Sequence, residues 1–216
     1  MNADPRVTEF FTRNYTRKTS EAMAATMREQ LDRNGCGWWA VEVRGGPSFA
    51  GVIVLQEVPF QAPFTPANEV GWRFSFDNWG RGYATEGAHA ALDFAFNTLD
   101  WHEVVAFTAA SNLRSQRVMQ RLGMMHDPAD DFDHPKIAPG HPLRRHVLYR
   151  IKRPHDGEAE SQGYPSAIFA VSTSRASATA PSPPLVMRCS PRAASKPIAS
   201  PRVASVNDST PAKRGP

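Results

Sequence analysis

One stretch, Asn78-Trp-Gly-Arg-Gly-Tyr-Ala-Thr-Glu86, constrains this chain more than any other. A segment of strand character, Glu69-Val-Gly-Trp-Arg-Phe74, precedes it, and Ala84, Ala88, Ala91, Leu92 and Ala95 follow at helical spacing up to about Phe96. A strand therefore feeds a glycine turn that opens a helix. Such a turn leaves several backbone N–H groups without intrahelical partners, with the positive end of the helix dipole behind them, and so suits a phosphate. Gly80 and Gly82 allow the backbone to approach a pyrophosphate closely, and the amides of Gly82, Tyr83, Ala84 and Thr85 are the candidate donors. A tight connection with no ligand has the same pattern, so the turn alone leaves both readings open.

Two familiar phosphate motifs fit poorly. A P-loop ends in Gly-Lys-Ser or Gly-Lys-Thr, and neither occurs in the sequence. The dinucleotide fingerprint accepts Gly80 and Gly82 but meets Thr85 where its third glycine belongs. The segments upstream, Trp38 to Val43 and Phe49 to Leu55 joined through Gly45-Gly46-Pro47, read as a β-hairpin rather than a first βαβ unit. A nucleotide-dependent oxidoreductase is thus a distant second.

Around this centre the pattern alternates. Asp4-Pro5 opens a short helix with Val7, Phe10 and Phe11 on one side, and Met23, Met27 and Leu31 mark a second helix from about Arg17 to Asn34, stopped by Gly35. Gln56 to Asn68 reads as a proline-containing loop, and Glu103 to Thr108 as a strand. Asn112 caps a helix with Val118, Met119 and Leu122 on its buried side and Gly123 at its end. A polar connection from Met124 to Leu143 leads to a last strand, His146 to Ile151.

Composition then divides the chain. Residues 1–153 hold all five tryptophans and apolar runs spaced by Gly and Pro, as a single globular domain requires. About half of residues 154–216 are Pro, Ser or Ala, so this tail is expected to be disordered. The net charge of +4 splits into 18 basic against 17 acidic residues in the domain and 7 against 4 in the tail. A nearly neutral domain with interspersed signs argues against nucleic-acid binding by it. Cys36 and Cys189 suggest neither a disulfide framework nor a Cys-x-x-Cys site, and no apolar run approaches a membrane span, so a cytoplasmic protein with no membrane partner is expected.

Taken together, the runs Glu69 to Phe74, Asn78 to Glu86 and Asn112-Leu-Arg-Ser-Gln-Arg-Val-Met-Gln-Arg-Leu-Gly123 resemble the GNAT acetyltransferases, particularly their RimJ/RimL-like branch. The resemblance implies an α/β (α+β) fold with a mixed, strongly bent sheet flanked by helices, and acetyl-CoA as co-substrate where two central strands splay apart. On it, Gly80, Arg81, Gly82, Tyr83, Ala84 and Thr85 match the pyrophosphate loop, with Trp79 where the broad motif usually has Gln or Arg. Phe74 falls where strand backbone meets the pantetheine arm, and Asn112 and Ser115 border the thiol end. It also implies a strand before the first helix, which the sequence after Met1 lacks, so an exposed neighbouring strand edge is expected, favouring instability or pairing with another chain, a homodimer included.

Acetylating an amine requires loss of its proton, a donor for the oxyanion and help for the leaving thiolate. Glu69 is the candidate base, acting through water, and Ser115 the candidate donor to the thiolate. A solvated strand-end carboxylate and a plain helix cap at Asn112 are the structural alternatives. Asp127, Asp130, Asp131, Asp133 and His134 show no recognised ligand spacing, so no metal is expected, and His89 reads as a surface or packing histidine. The function expected is transfer of acetyl to a protein N-terminus or a small amine, and the non-enzyme alternative is an acetyl-CoA-binding domain with little turnover.

Overall fold

The computed structural model describes residues 1–12, 15–154 and the strand 185–188. Asp4 caps α1 (Pro5–Thr8), its carboxylate accepting from the Arg6 N–H with a proline in the first turn. The Thr16 hydroxyl caps α2 (Arg17–Asn34) in the same way. Gly35 ends α2 in the left-handed region at φ 70°, its N–H donating to the Leu31 carbonyl.

Strands β1 (Trp38–Val43), β2 (Gly51–Glu57) and β3 (Asn68–Phe74) form an antiparallel meander. After the glycine turn comes α3 (Tyr83–Asn97), then β4 (Glu103–Ala109) and α4 (Leu113–Arg121). Two very short strands, β5 (Met125–His126) and β6 (Phe132–Asp133), both pair with β7 (Arg145–Lys152). The sheet order is β5-β7-β4-β3-β2-β1 and then β8 (Leu185–Arg188). The mixed sheet flanked by helices is the expected α/β architecture, and α2, α3 and α4 fall where their caps and periodicity place them, whereas α1 ends at Thr8, before the Phe10 and Phe11 expected on its apolar side.

Strand β2 starts and ends two residues later than its sequence pattern predicts. Gln56 and Glu57, read as loop, pair with Glu69 and Asn68. Long-range pairing with β3 overrides their weak local strand preference. A second difference lies in the tail: Leu185–Arg188, expected to be disordered, forms β8 against β1, so the β1 edge is not bare. The rest of the disorder expectation falls on residues 155–184 and 189–216, which lie outside the described residues.

The main core lies between the sheet and α3. Ile53, Leu55, Val70 and Phe74 from the strands join Ala88, Ala91, Leu92 and Ala95 from the helix. Alanines along α3 let its backbone sit close to β2 and β3. Ile53 and Leu55 are fully buried, and each such side chain contributes about 1.5–3 kcal/mol. A smaller cluster, Val58, Val105, Phe132 and Leu148, forms on the opposite face, flanked by Phe60, Phe64 and Phe107.

One parallel register pair, Glu69↔Val105, joins β3 to β4 among the described residues, whereas β4 pairs with β7 at every position from Glu103 to Ala109. Beyond Glu69 the two central strands diverge toward their C-terminal ends. Gly51 helps set the β3 side of this wedge, since a Cβ there would lie 2.4 Å from the Arg73 carbonyl oxygen and 2.7 Å from the Phe74 Cα. Backbone cannot yield as a flexible side chain can, so Gly51→Ala is expected to cost about 1–3 kcal/mol of unfolding free energy, read as a lower midpoint in urea.

Candidate active site

The glycine turn takes the conformation its sequence demands. Gly80 and Gly82 have φ of 73° and 82°, and nothing lies within 4 Å of a Cβ built on either, so the turn faces open space. Gly82 is the N-cap of α3 and supplies no side-chain cap. The first backbone bond of the helix runs from the Glu86 N–H to the Gly82 carbonyl. The N–H groups of Tyr83, Ala84 and Thr85 therefore precede every intrahelical acceptor, and none is taken by another acceptor among the described residues. These donors and the dipole behind them fit the pyrophosphate of a CoA-type ligand. The β4-facing backbone of β3 beyond Glu69 has no strand partner among the described residues, although the Phe74 carbonyl is taken by a side chain, and it fits an extended amide-bearing arm.

Side chains hold this turn in place. The Trp79 indole N–H donates to the Phe74 carbonyl at 2.9 Å, so its donor is occupied within the protein and Trp79 shapes the turn from inside. Phe74 itself is buried in the core. Arg114, at the start of α4, stacks over Trp79 at 4.8 Å and pairs with Glu9, while Arg6 lies 3.5 Å over the Phe76 ring. The N-terminal residues thereby clasp the loop between β3 and α3. Arg81 is exposed beside it. This clasp has no signal in the sequence, because its partners lie on three separate segments.

Asn112 and Ser115 are brought together at the C-terminal end of β4. The Asn112 carbonyl oxygen accepts from the Ser115 N–H at 3.2 Å, as a cap should. Its amide also donates to Thr108 Oγ1 at 2.9 Å and to Ser115 Oγ at 3.1 Å. Ser115 Oγ thus accepts a hydrogen bond and retains its own proton to donate. Two helix N-termini, of α3 and α4, stand at the open end of the wedge.

Glu69 lies at the closed end. The Gln56 amide donates to Glu69 Oε1 at 2.6 Å, and the Gln56 carbonyl oxygen accepts from the Trp38 indole N–H at 3.2 Å. Sequence reading missed Gln56, because the chain Trp38–Gln56–Glu69 exists only through strand register. Burial raises the Glu69 carboxyl to about 7, against the lowering influence of Gln56 and the Lys136 cation. Its pairing partner Val105 belongs to the smaller apolar cluster, which walls this end with Phe60, Phe64 and Phe107. Val105 to Ala109 spans about 13 Å of strand, so Glu69 shares no contact with Asn112 or Ser115.

The loop acids serve as side-chain partners within the protein, two to arginines and one at hydrogen-bond distance from a histidine. Asp130 pairs with Arg150 at 2.6 Å, Asp133 with Arg144 at 3.0 Å, and Asp131 with His126 at 2.8 Å. Among the described residues no group of three or more His, Cys, Asp and Glu is placed to hold a metal ion. No described helix is long and apolar enough to cross a membrane.

A sequence model of the acetyltransferase (GNAT) domain matches residues 1–125, more than half of the chain. The chain belongs to the GNAT acetyltransferase family. It is similar to the uncharacterized protein YkkB of Bacillus subtilis, 33% identical over 90 residues, which cover 42% of this chain and 51% of that protein. It is also 36% identical over 96 residues to the FsC-acetyl coenzyme A-N(2)-transacetylase of Aspergillus fumigatus, covering 43% of this chain and 40% of that one. The chain thus spans about half or less of the length of these curated relatives. A crystal structure of a GNAT-family acetyltransferase from Bacillus anthracis shares the fold, with a TM-score of 0.56 and 22% identity over 70% of this chain and 84% of that one. An acetyltransferase from Agrobacterium tumefaciens gives 0.52 and 24%, covering 70% of this chain and 80% of the other.

Burial of Glu69 has a consequence for stability. With its carboxyl at about 7, the folded state holds a proton that the unfolded state releases above the ordinary glutamate value of 4.5. Stability therefore falls as pH rises from that value through about 7, and the deficit is complete above it. Glu69→Gln is expected to raise stability at pH 8 by on the order of 1–2 kcal/mol and to leave it unchanged near pH 4, measured as unfolding midpoints across pH.

Proposed function

We propose that this chain is an acetyl-CoA-dependent N-acetyltransferase of the RimJ/RimL-like branch that acts on a primary amine, either a protein N-terminus or a small molecule. The observation that carries the reading is the wedge between β3 and β4, closed at Glu69↔Val105 and ending in the unpartnered amides of α3. The name of the Aspergillus relative, with acetyl coenzyme A and an N-position in it, supports donor and acceptor class alike. We assign the catalytic domain to residues 1–153 and place the protein in the cytoplasm.

The residues divide the work. Acetyl-CoA supplies an activated acetyl thioester. The amides of Gly82, Tyr83, Ala84 and Thr85 hold its pyrophosphate, Gly80 and Gly82 give the access, and Trp79 and Arg81 border the turn. Glu69, ionised in part at neutral pH, takes up through water the proton that the amine releases as the amide bond forms. Gln56 holds its carboxylate in one orientation. Ser115 Oγ, accepting from Asn112 at the open end of the wedge, borders the coenzyme's arm there, about 13 Å of strand from the end where Glu69 acts. The aromatic wall of Phe60, Phe64 and Phe107 keeps bulk water from Glu69 and borders the space for the acceptor.

Thiol release with acetyl-CoA and a panel of primary amines tests this. For an accepted amine, kcat/KM is expected to rise with pH through about 7 as Glu69 ionises. Glu69→Gln is expected to lower kcat by about 100-fold and to remove that acid limb. An unchanged kcat would remove the base assignment and leave the fold untouched. Acetyl-CoA binding with no turnover of any amine would favour the binding-domain alternative.

A further inference from the structure

The outer edge of β1 is covered by a segment from the far end of the chain. Ala40, Val41, Glu42 and Val43 pair in antiparallel register with Arg188, Met187, Val186 and Leu185, and β8 also runs beside α3. Without it, the outward N–H and C=O groups of Ala40–Val43 would form an open sheet edge, a template for any extended chain. The composition of the segment suits edge pairing. Leu-Val-Met is apolar and partly β-branched, and in the sequence it follows Pro183 and Pro184, a residue type that has no N–H to donate to a ladder.

We propose that the outer edge of β1 is a strand-accepting site whose occupant is this chain's own Leu185–Arg188, so that the tail acts as a tethered, sheet-completing strand. Two physical points favour the chain's own segment. A four-residue strand is too short to hold an edge as a free peptide, so its local concentration has to come from a tether. Residues 155–184 supply thirty residues of connector between β7 and β8. The two strands are five positions apart in the sheet order, about 24 Å at 4.8 Å per strand. Thirty residues reach about 100 Å when extended, so the connector can go around the domain to the far edge without strain. The same connector permits exchange with a second copy of the chain, which the test below separates. The tail has one other comparable apolar run, Ile168-Phe-Ala-Val171, and this provides an internal control.

The test uses the full chain. Amide hydrogen exchange of the outward amides of Ala40–Val43 is compared in the parent, in Val186→Pro with Met187→Pro, and in Phe169→Pro with Ala170→Pro. Protection is expected to be lost in the first variant and kept in the second. Equal protection in all three, or equal loss in both variants, would overturn the assignment. A cross-link then identifies whose strand it is. Ala40 is exposed and faces Arg188 in the register, and cross-strand Cα spacings suit a disulfide. Ala40→Cys with Arg188→Cys, in a background of Cys36→Ser and Cys189→Ser, is expected to oxidise within one chain and migrate as a monomer. Failure to cross-link would overturn the pairing, and a covalent dimer as the main product would overturn the chain's own segment as occupant.

Discussion

Everything that concerns function here depends on two central parallel strands failing to stay together. Strands β3 and β4 pair at Glu69↔Val105 and then separate, which leaves backbone donors and acceptors of β3 without sheet partners on that side. Unpaired backbone in a sheet interior is costly unless something else satisfies it. The protein holds the separation open from outside: β2 pairs with β3 along its whole length, β7 does the same for β4, and the two helices that follow these strands pack on each other. In the proposed function, the extended polar arm and anionic end of acetyl-CoA would complete what the sheet leaves undone.

The electrostatics of the two ends of this wedge differ in kind. At the open end, positive potential comes from helix N-termini and unpaired amides, a fixed field that needs no titratable group. At the closed end, burial beside an apolar cluster brings a carboxyl to about 7, where its charge responds to pH. The fixed positive field and the titratable carboxyl thus lie about a strand's length apart, a separation that the proposed acetyl-CoA, with its phosphates far from its reacting atom, would span.

How much of this was legible in the sequence depended on whether the information was local. Gly80 and Gly82 could be read because the positive φ of each excludes other residues at little distance along the chain. Asn112 could be read as a cap, and the structure adds the links to Thr108 and Ser115 that a cap does not predict. Gln56, by contrast, looked like loop, and only the register of β2 against β3 sets its amide on Glu69. Strand β8 was illegible for the same reason on a larger scale: four residues in a Pro/Ser/Ala-rich tail gain strand structure from an edge formed by residues 40–43. Arg114, Trp79 and Glu9 form their clasp through tertiary contacts that no spacing encodes.

The central claim is that the amides at the start of α3 bind the pyrophosphate of acetyl-CoA, and calorimetric titration of the purified chain tests it most directly. Acetyl-CoA is titrated into the parent protein and into Gly82→Ala, with NADH and ATP as controls. A Cβ at Gly82 meets no protein atom, so the variant's effect on binding exceeds its effect on packing, although its φ of 82° adds modest backbone strain. The account predicts binding selective for acetyl-CoA and weakened at least tenfold in a Gly82→Ala protein that remains folded. Equal binding of acetyl-CoA by the folded parent and variant, or no binding by the folded parent, would contradict it.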